Sequence, residues 1–263
     1  MVDGALLAPG HPDVVRIVAS NPGPMTLDGT NTYIVGRGPA WVIDPGPANG
    51  RHLERVREAA DERGGLEGIV LTHSHADHSA GTTLLGAPLA WGEVSEASEW
   101  RESAVRGPRS ADPGRAERVG PFEVIPTPGH APDHVAFARG EVCFCGDLVL
   151  GAGSSIVTPG GGGLAAYLDS LERLRARDFA LLCPGHGPWI DDPAAKLAEY
   201  RDHRLDRERR LLTALERGER SRERLLDAVW DDVPPELRFA AALAMEAHLA
   251  KLADEGRLPE LRP

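Results

Sequence analysis

The stretch Thr72-His73-Ser74-His75-Ala76-Asp77-His78 constrains this chain more than any other part of it. Three imidazoles and one carboxylate fall close together, and these are the ligand types that a borderline-soft cation such as Zn2+ prefers. The run follows Gly68-Ile69-Val70-Leu71, a short apolar segment that reads as a buried strand. On a tight turn leaving a strand, His73 and His75 project to one side and can share one metal. Asp77 and His78, adjacent at a helix start, can reach a second. A single histidine would be read as solvated or as part of a satisfied polar network; four such side chains together argue against that.

Three later motifs share one context, a strand end followed by a turn that can aim a side chain inward: Pro128-Gly129-His130, Cys145-Gly146-Asp147 and Pro184-Gly185-His186-Gly187. His130 would complete the His73/His75 trio, His186 would join Asp77 and His78, and Asp147 would bridge the two. The expected cofactor is therefore Zn2+, two per chain. Two metals about 3.5–4 Å apart generate a bridging hydroxide near neutrality and polarise the scissile bond. Asp77 is the expected catalytic residue, orienting that nucleophile or taking its proton. No motif calls for a Ser, Cys or Lys covalent nucleophile.

Two further residues are candidates with open roles. Asp44, at the end of Trp41-Val42-Ile43, either accepts the N–H of a metal-bound histidine or is the turn former before Pro45. His134, four residues after His130, either supports the site, faces substrate, or is structural.

Along the rest of the chain, residues 14–18, 32–35 and 41–43 read as strands broken by Pro/Gly turns, 51–63 as an amphipathic helix ended by Gly64-Gly65, and 79–85 as a short helix before a strand at 88–91. Residues 95–118 carry no clear pattern and are a candidate substrate-facing loop, as is the Gly-rich stretch 151–163. A second half repeats the scheme with strands at 122–125, 134–138 and 142–145, a helix at 164–176 and a strand at 180–183. Two such halves imply two packed sheets flanked by helices. From Pro193 three helical stretches follow, 194–217, 222–230 and 235–255, so the division expected is a catalytic domain over 1–192 and a helical module over 193–263.

Composition narrows the partners. A net charge of −11 disfavours non-specific nucleic-acid binding, which depends on Lys and Arg. Residues 201–224 hold nine Arg against six acidic residues and read as a solvated, ion-paired helix rather than a basic patch. No apolar run is long enough to span a bilayer, residues 1–15 lack a signal-peptide pattern, and the three cysteines, Cys143, Cys145 and Cys183, suit reduced core thiols, so no membrane partner and a cytoplasmic location are expected.

The His-x-His-x-Asp-His run with its three downstream partners resembles the metallo-β-lactamase superfamily over nearly the whole chain. Met25-Thr26-Leu27-Asp28-Gly29-Thr30-Asn31-Thr32-Tyr33, the stretch from Pro128 through His134, Gly146-Asp147-Leu148-Val149-Leu150-Gly151 and Cys183-Pro184-Gly185-His186-Gly187-Pro188 are similar to its β-lactamase-like protein 2 subgroup. Animal members of that subgroup are mitochondrial single-strand endoribonucleases, and fungal relatives with the same opening motif are thioesterases acting on carrier-bound polyketides. The resemblance implies an α/β fold, an αββα sandwich with a small C-terminal winged-helix-like module, and a carboxylate beneath the site at Asp44. It implies a metal-dependent hydrolase acting on single-stranded RNA or a small-molecule (thio)ester. Within the same fold, a glyoxalase II-type thioesterase shares all seven ligands, and a mononuclear-iron persulfide dioxygenase is the redox rival; di-iron flavoproteins carry Glu where His75 stands. A non-catalytic binding module would be expected to have lost some of these ligands.

Overall fold

A computed structural model describes residues 2–92 and 117–261; the candidate loop at 95–118 therefore falls, up to residue 116, outside the described residues. The first half contains β1 (Ala5–Ala8), β2 (His11–Val18), β3 (Asn31–Val35), β4 (Ala40–Ile43), helix α1 (Gly50–Asp61), β5 (Leu66–Val70), the short helices α2 (Ala76–Ser79) and α3 (Thr82–Leu85), and β6 (Leu89–Trp91). The second contains β7 (Glu117–Val119), β8 (Phe122–Pro126), β9 (Val135–Arg139), β10 (Val142–Gly146), helix α4 (Gly163–Arg175) and β11 (Leu181–Pro184). Helices α5 (Pro193–Glu216), α6 (Arg222–Val229) and α7 (Arg238–Asp254) complete the chain. The opening strand β1 was not anticipated, and the predicted helix 79–85 is two single turns that begin inside the histidine run.

The strands form two sheets, ordered β1-β2-β3-β4-β5-β6 and β11-β10-β9-β8-β7. Pairs joined through helices are parallel: β4 with β5 across α1, β5 with β6 across α2 and α3, and β10 with β11 across α4. Both β3 and β10 are buried along their entire length, which explains why neither shows polar alternation. Their side chains still alternate in direction. Tyr33 and Val35 meet Phe137, Phe144 and Phe122 between the sheets. Ile34 points the other way, to Leu53, Val56 and Ala60 of α1. Likewise Val142 and Phe144 face the inter-sheet core, while Cys143 and Cys145 face Leu164, Leu171 and Leu174 of α4. The layers run α1, sheet, sheet, then α4 with α5, the expected αββα sandwich. All three cysteines are buried and free.

Local signals fix the helix ends. Asn49 caps α1 through its side chain to the His52 N–H, and Gly64 and Gly65 end the segment at φ +95° and +97°. Asp192 caps α5 and Pro193 sits in its first turn. Helix α5 serves two cores: Leu197 and Tyr200 pack against the sandwich, whereas Leu211 and Leu215 join Leu225, Val229, Met245 and Leu249 in a separate cluster within the tail. Each fully buried aliphatic side chain in these clusters contributes about 1.5–3 kcal/mol relative to exposure.

Candidate metal centre

The run 72–78 leaves β5 at the end of the first sheet, and the turns carrying His130, Asp147 and His186 leave β8, β10 and β11 at the same edge of the sandwich. All seven predicted ligands converge there. His73 Nε2 and His75 Nδ1 lie 2.9 Å apart, and His130 Nε2 is 3.0 Å from His75 Nδ1. His78 Nε2 lies 3.4 Å from both His186 Nε2 and Asp77 Oδ2. Asp147 Oδ2 is 3.5 Å from His78, 3.3 Å from His186 and 3.7 Å from His130, so it stands between the two groups. Three sets of ligand atoms could each hold a cation: His73/His75/His130, Asp77/His78/His186, and between them His73/His78/Asp147.

These separations suit a metal. Bonds of 2.0–2.1 Å in a tetrahedron put neighbouring ligand atoms about 3.3 Å apart. The other oxygen of Asp147, Oδ1, is buried with no hydrogen-bond donor. A buried carboxylate oxygen without a donor is costly unless a cation faces it, so the donor set fits the group the sequence implies.

The ring orientations are set from behind. His78 Nδ1–H donates to Asp44 Oδ2 at 2.9 Å. Thr72 donates to both oxygens of the same carboxylate, from its backbone N–H at 2.8 Å and its hydroxyl at 2.7 Å. The Thr72 hydroxyl, its own proton committed, accepts from His73 Nδ1–H at 3.0 Å. One buried carboxylate thus directs two histidines, with their Nε2 atoms turned toward the site. Asp44 itself holds φ +51°, a conformation that Asp tolerates better than most residues. His130 Nδ1–H donates to Ile156 O at 2.9 Å, and His186 Nδ1–H to Gly29 O at 3.2 Å. His134 is not among the converging atoms. Its Nε2 accepts from the Asp147 backbone N–H at 3.1 Å and its Nδ1–H donates to Thr127 Oγ1 at 2.8 Å, so it lies buried against Asp147.

Protonation divides the cluster in two. Burial, reinforced by neighbouring imidazoles, pushes His73 well below its ordinary value and His75 down to about 4; it also lowers His130. Burial also opposes charge on His78 and His186, but the carboxylates overcome it. Asp77, Asp147 and Asp44 raise His78 well above its ordinary value, and Asp147 and Asp77 raise His186 to about 9. Burial works against the charge of Asp77 too, yet His78 and His186 bring it down to about 2.

Residues that sequence reasoning did not single out clamp the turns. Asn31 Nδ2 donates to Pro184 O and Gly187 O, both at 2.9 Å, and its N–H to Gly185 O at 2.7 Å. The Tyr33 hydroxyl donates to Pro184 O, and Arg16, stacked over Trp189, donates to Gly187 O. Thr30 Oγ1 donates to Asp77 Oδ2 at 3.2 Å. The glycine before His186 also has a reason: a Cβ at Gly185 would lie 2.1 Å from Asp147 Oδ1.

The site opens into a cavity of about 1010 Å3. Asp77, 30% exposed at its side chain, is the least buried of its group of three. Several outward-facing arginines of 201–224 are paired, Arg209 with Asp206, Arg210 with Asp231 and Arg222 with Glu246, while Arg217 is exposed without an ion pair among the described residues. They do not form an open basic track.

An αββα sandwich with His- and Asp-bearing turns converging at one edge defines a metal-dependent hydrolase class, and comparison with known proteins agrees. The model of the metallo-beta-lactamase superfamily matches residues 25–186, and that of the beta-lactamase associated winged helix domain matches residues 221–260. The chain is 32% identical to a beta-lactamase-like protein 2 homolog of Drosophila melanogaster, over 93% of this chain and 89% of that protein. It is also 32% identical to an atrochrysone carboxyl ACP thioesterase of Aspergillus chevalieri, over 94% of this chain and 83% of that one. A beta-lactamase domain protein from Burkholderia ambifaria superposes with a TM-score of 0.73 at 19% identity, covering 97% of this chain and 90% of the other. The chain belongs to the metallo-beta-lactamase superfamily and is a hydrolase of it, with a winged-helix domain at its C-terminal end. Among the described residues no helix is long and apolar enough to cross a membrane.

Proposed function

We propose that this enzyme is a two-metal hydrolase that cleaves a small-molecule thioester or ester, with zinc as its metal. His73, His75 and His130 would hold one cation, Asp77, His78 and His186 the other, and Asp147 would face both. We place the catalytic unit at residues 1–192 and the helical module at 193–263, with α5 packed on both. Three buried, unpaired cysteines suit a reducing compartment such as the cytoplasm.

Bound there, two divalent cations would supply Lewis acidity, lowering the pKa of a coordinated water and polarising the scissile carbonyl. The chain's own residues do the rest. Asp44 and Thr72 keep His73 and His78 in the tautomer that leaves Nε2 free. Asp77, which accepts a hydrogen bond from Thr30 at Oδ2, would accept the proton of the attacking water. Water's oxygen joins the acyl carbon, the carbon–sulfur or carbon–oxygen bond breaks, and the proton passes to the departing thiolate or alkoxide.

The observation that carries the substrate class is the cavity. Its walls away from the histidines are largely apolar, including Met25, Leu27, Leu150, Val233 and Leu237. Single-stranded nucleic acid calls instead for an open cationic track with stacking aromatics. Elemental analysis of protein purified without added metal, followed by assay of that sample on acyl-thioesters and on single-stranded RNA, tests the reading. About two zinc per chain with thioester turnover lost in His75→Ala supports it. RNA cleavage lost in the same variant would move the substrate to phosphodiesters, and a single iron without hydrolysis would replace the reading with iron redox chemistry.

A further inference from the structure

The ligand cluster forms only one end of the cavity. The other end is built by α5 and the tail: Arg204 and Arg207 project from α5, Trp230, Val233 and Leu237 line it from the segment between α6 and α7, and Ala241 from α7. Both arginines are almost fully buried, at 3% and 4% exposure, but they differ in their partners. Arg207 forms an ion pair with Asp232 at 2.7 Å and donates to Val229 O. Arg204 donates to Ser154 Oγ at 3.0 Å and to Ser155 O, both neutral, and its Nε is buried with no acceptor. Among the described residues it has no carboxylate partner.

Among the described residues no carboxylate offsets that charge; the Tyr167 ring, its centroid 5.3 Å from the guanidinium carbon, gives a cation–π contact but no counter-ion. Glu199, also on the cavity wall, is engaged by Lys196 at 2.9 Å. Asp133 belongs to the turn after His130, at the ligand end. The neighbouring histidines add no charge of their own. Burial, together with the Arg204 and Arg207 guanidinium groups, holds His203 down to about 4 and His248 down to about 3. A buried cation facing an apolar cavity without a counter-ion is costly, and the cost is relieved when a ligand brings the anion.

We propose that Arg204 is the anchor for a carboxylate at the end of the substrate's acyl group remote from the scissile carbonyl. The preferred substrate is then a (thio)ester of a dicarboxylic or similarly acid-bearing acyl group, its apolar middle lying along Leu237 and Ala241. A carboxylate suits the site better than a phosphate, because one free guanidinium matches a single negative charge while Arg207 is already neutralised by Asp232. The nature of the scissile group rests on the hydrolase reading above; the anchor does not.

Arg204 has a competing role as a brace. The segment it grips carries Ile156 O, which holds His130, and Ser155 Oγ, which donates to Asp147 O. The test must separate the two. Calorimetry on the metal-loaded full chain would compare unbranched dicarboxylates, from adipate to dodecanedioate, with monocarboxylates of equal length. Each series offers one carboxylate to the metals, so the difference isolates the second. The expected result is that the best-fitting dicarboxylate binds at least about tenfold more tightly than its monocarboxylate. In Arg204→Gln, which keeps an amide donor for Ser155 O, that advantage disappears while monocarboxylate affinity stays within about twofold. Equal binding of the two series by the wild type overturns the proposal, as does parallel weakening of both in the variant, the mark of a brace. Should the variant not fold, methyl half-esters of the dicarboxylates against wild type decide the matter, since neutralising the remote end must cost the same advantage. A dicarboxylate preference without turnover of any thioester would leave the anchor standing and remove the (thio)esterase reading.

Discussion

The turns that carry His130, Asp147 and His186 are held by buried side chains bonded to main-chain carbonyls and amides, whereas the tail is held mainly by apolar packing, with one buried arginine, Arg207, tying Val229 O and Asp232 together and further ion pairs at its rim. The side chains of Asn31, Tyr33 and Arg16 together make four hydrogen bonds to two carbonyls beside His186, those of Pro184 and Gly187. In the tail, Leu225, Val229, Met245 and Leu252 form a core of their own, edged by Arg222–Glu246 and Arg238–Asp227 pairs. Surface pairs of that kind contribute little each. The contrast separates two tasks: the sandwich edge must fix ligand atoms to a few tenths of an ångström, while the tail need only present a wall to the cavity. On the function proposed above, chemistry falls to that edge and substrate preference to the wall.

If rigidity at the turns is what matters, a single methyl should be nearly as harmful as losing a ligand. In Gly185→Ala the new Cβ would sit 2.1 Å from Asp147 Oδ1 and 2.7 Å from His78 Cε1. The expected outcome is a fall in kcat/KM on the order of 10²–10³, with reduced metal content by elemental analysis. Full activity and metal retention would show that the turn yields, and the contrast would fail on its first side. On the other side, Leu225→Ala opens a cavity in the tail core, where Leu225 is wholly buried. It should cost about 2–5 kcal/mol, and amide exchange should rise in α6 and α7 while β3, β5 and β10 stay protected. Uniform loss of protection would mean that tail and sandwich unfold as one unit.

Asn31→Ala probes the clamp itself. Two side-chain bonds to Pro184 O and Gly187 O are lost, but Tyr33 and Arg16 still serve those carbonyls. Urea titration should therefore show a moderate loss, about 1–3 kcal/mol. Metal affinity, measured by competition with a chelator, should drop about 10–100-fold. An unchanged affinity would assign Asn31 to stability alone.

These residues also mark how far the sequence could be read. The seven converging residues were legible because their types are rare in apolar surroundings and each follows a strand end, so chemistry and position coincide. The two halves of the sandwich were legible from their apolar runs and Gly/Pro stops. The roles of Asn31 and Thr72, though both stand within quoted motifs, were not, since an amide or hydroxyl beside a strand has no periodic signature and depends on partners distant in sequence, Pro184 for one and Asp44 for the other. Strand β1, Ala5-Leu6-Leu7-Ala8, was missed because it is short, lacks β-branched and aromatic residues, and shows no alternation, its two leucines being exposed. The pairing of Arg207 and the lack of it at Arg204 were equally hidden: both lie on one face of α5, and only the fold brings Asp232 to one and not to the other.

The smallest expected effect tests an unpartnered polar group in the tail, where among the described residues no ligand cluster stands beside it as one does beside Asp147 Oδ1 at the sandwich edge. His248, on α7, is 1% exposed, packs edge-on against Trp230 at 5.7 Å, and has no hydrogen-bond partner at either ring nitrogen. Burial, aided by Arg204, Lys251, His203 and Arg207, lowers it to about 3. Its folded value lies below its unfolded one, so the unfolded chain takes up the proton first as pH falls. Stability from the neutral ring is complete above about pH 6.5 and is lost progressively toward the folded value, at about 1.4 kcal/mol per pH unit for one such group. In His248→Leu, which keeps an apolar side chain of similar size, that slope should vanish. Urea unfolding of wild type and variant at about pH 7 and about pH 5 should then show the variant gaining about 2 kcal/mol on the wild type over the interval. Parallel slopes would mean that the folded tail can protonate His248, and hence that the cavity wall opens to water more readily than its packing implies.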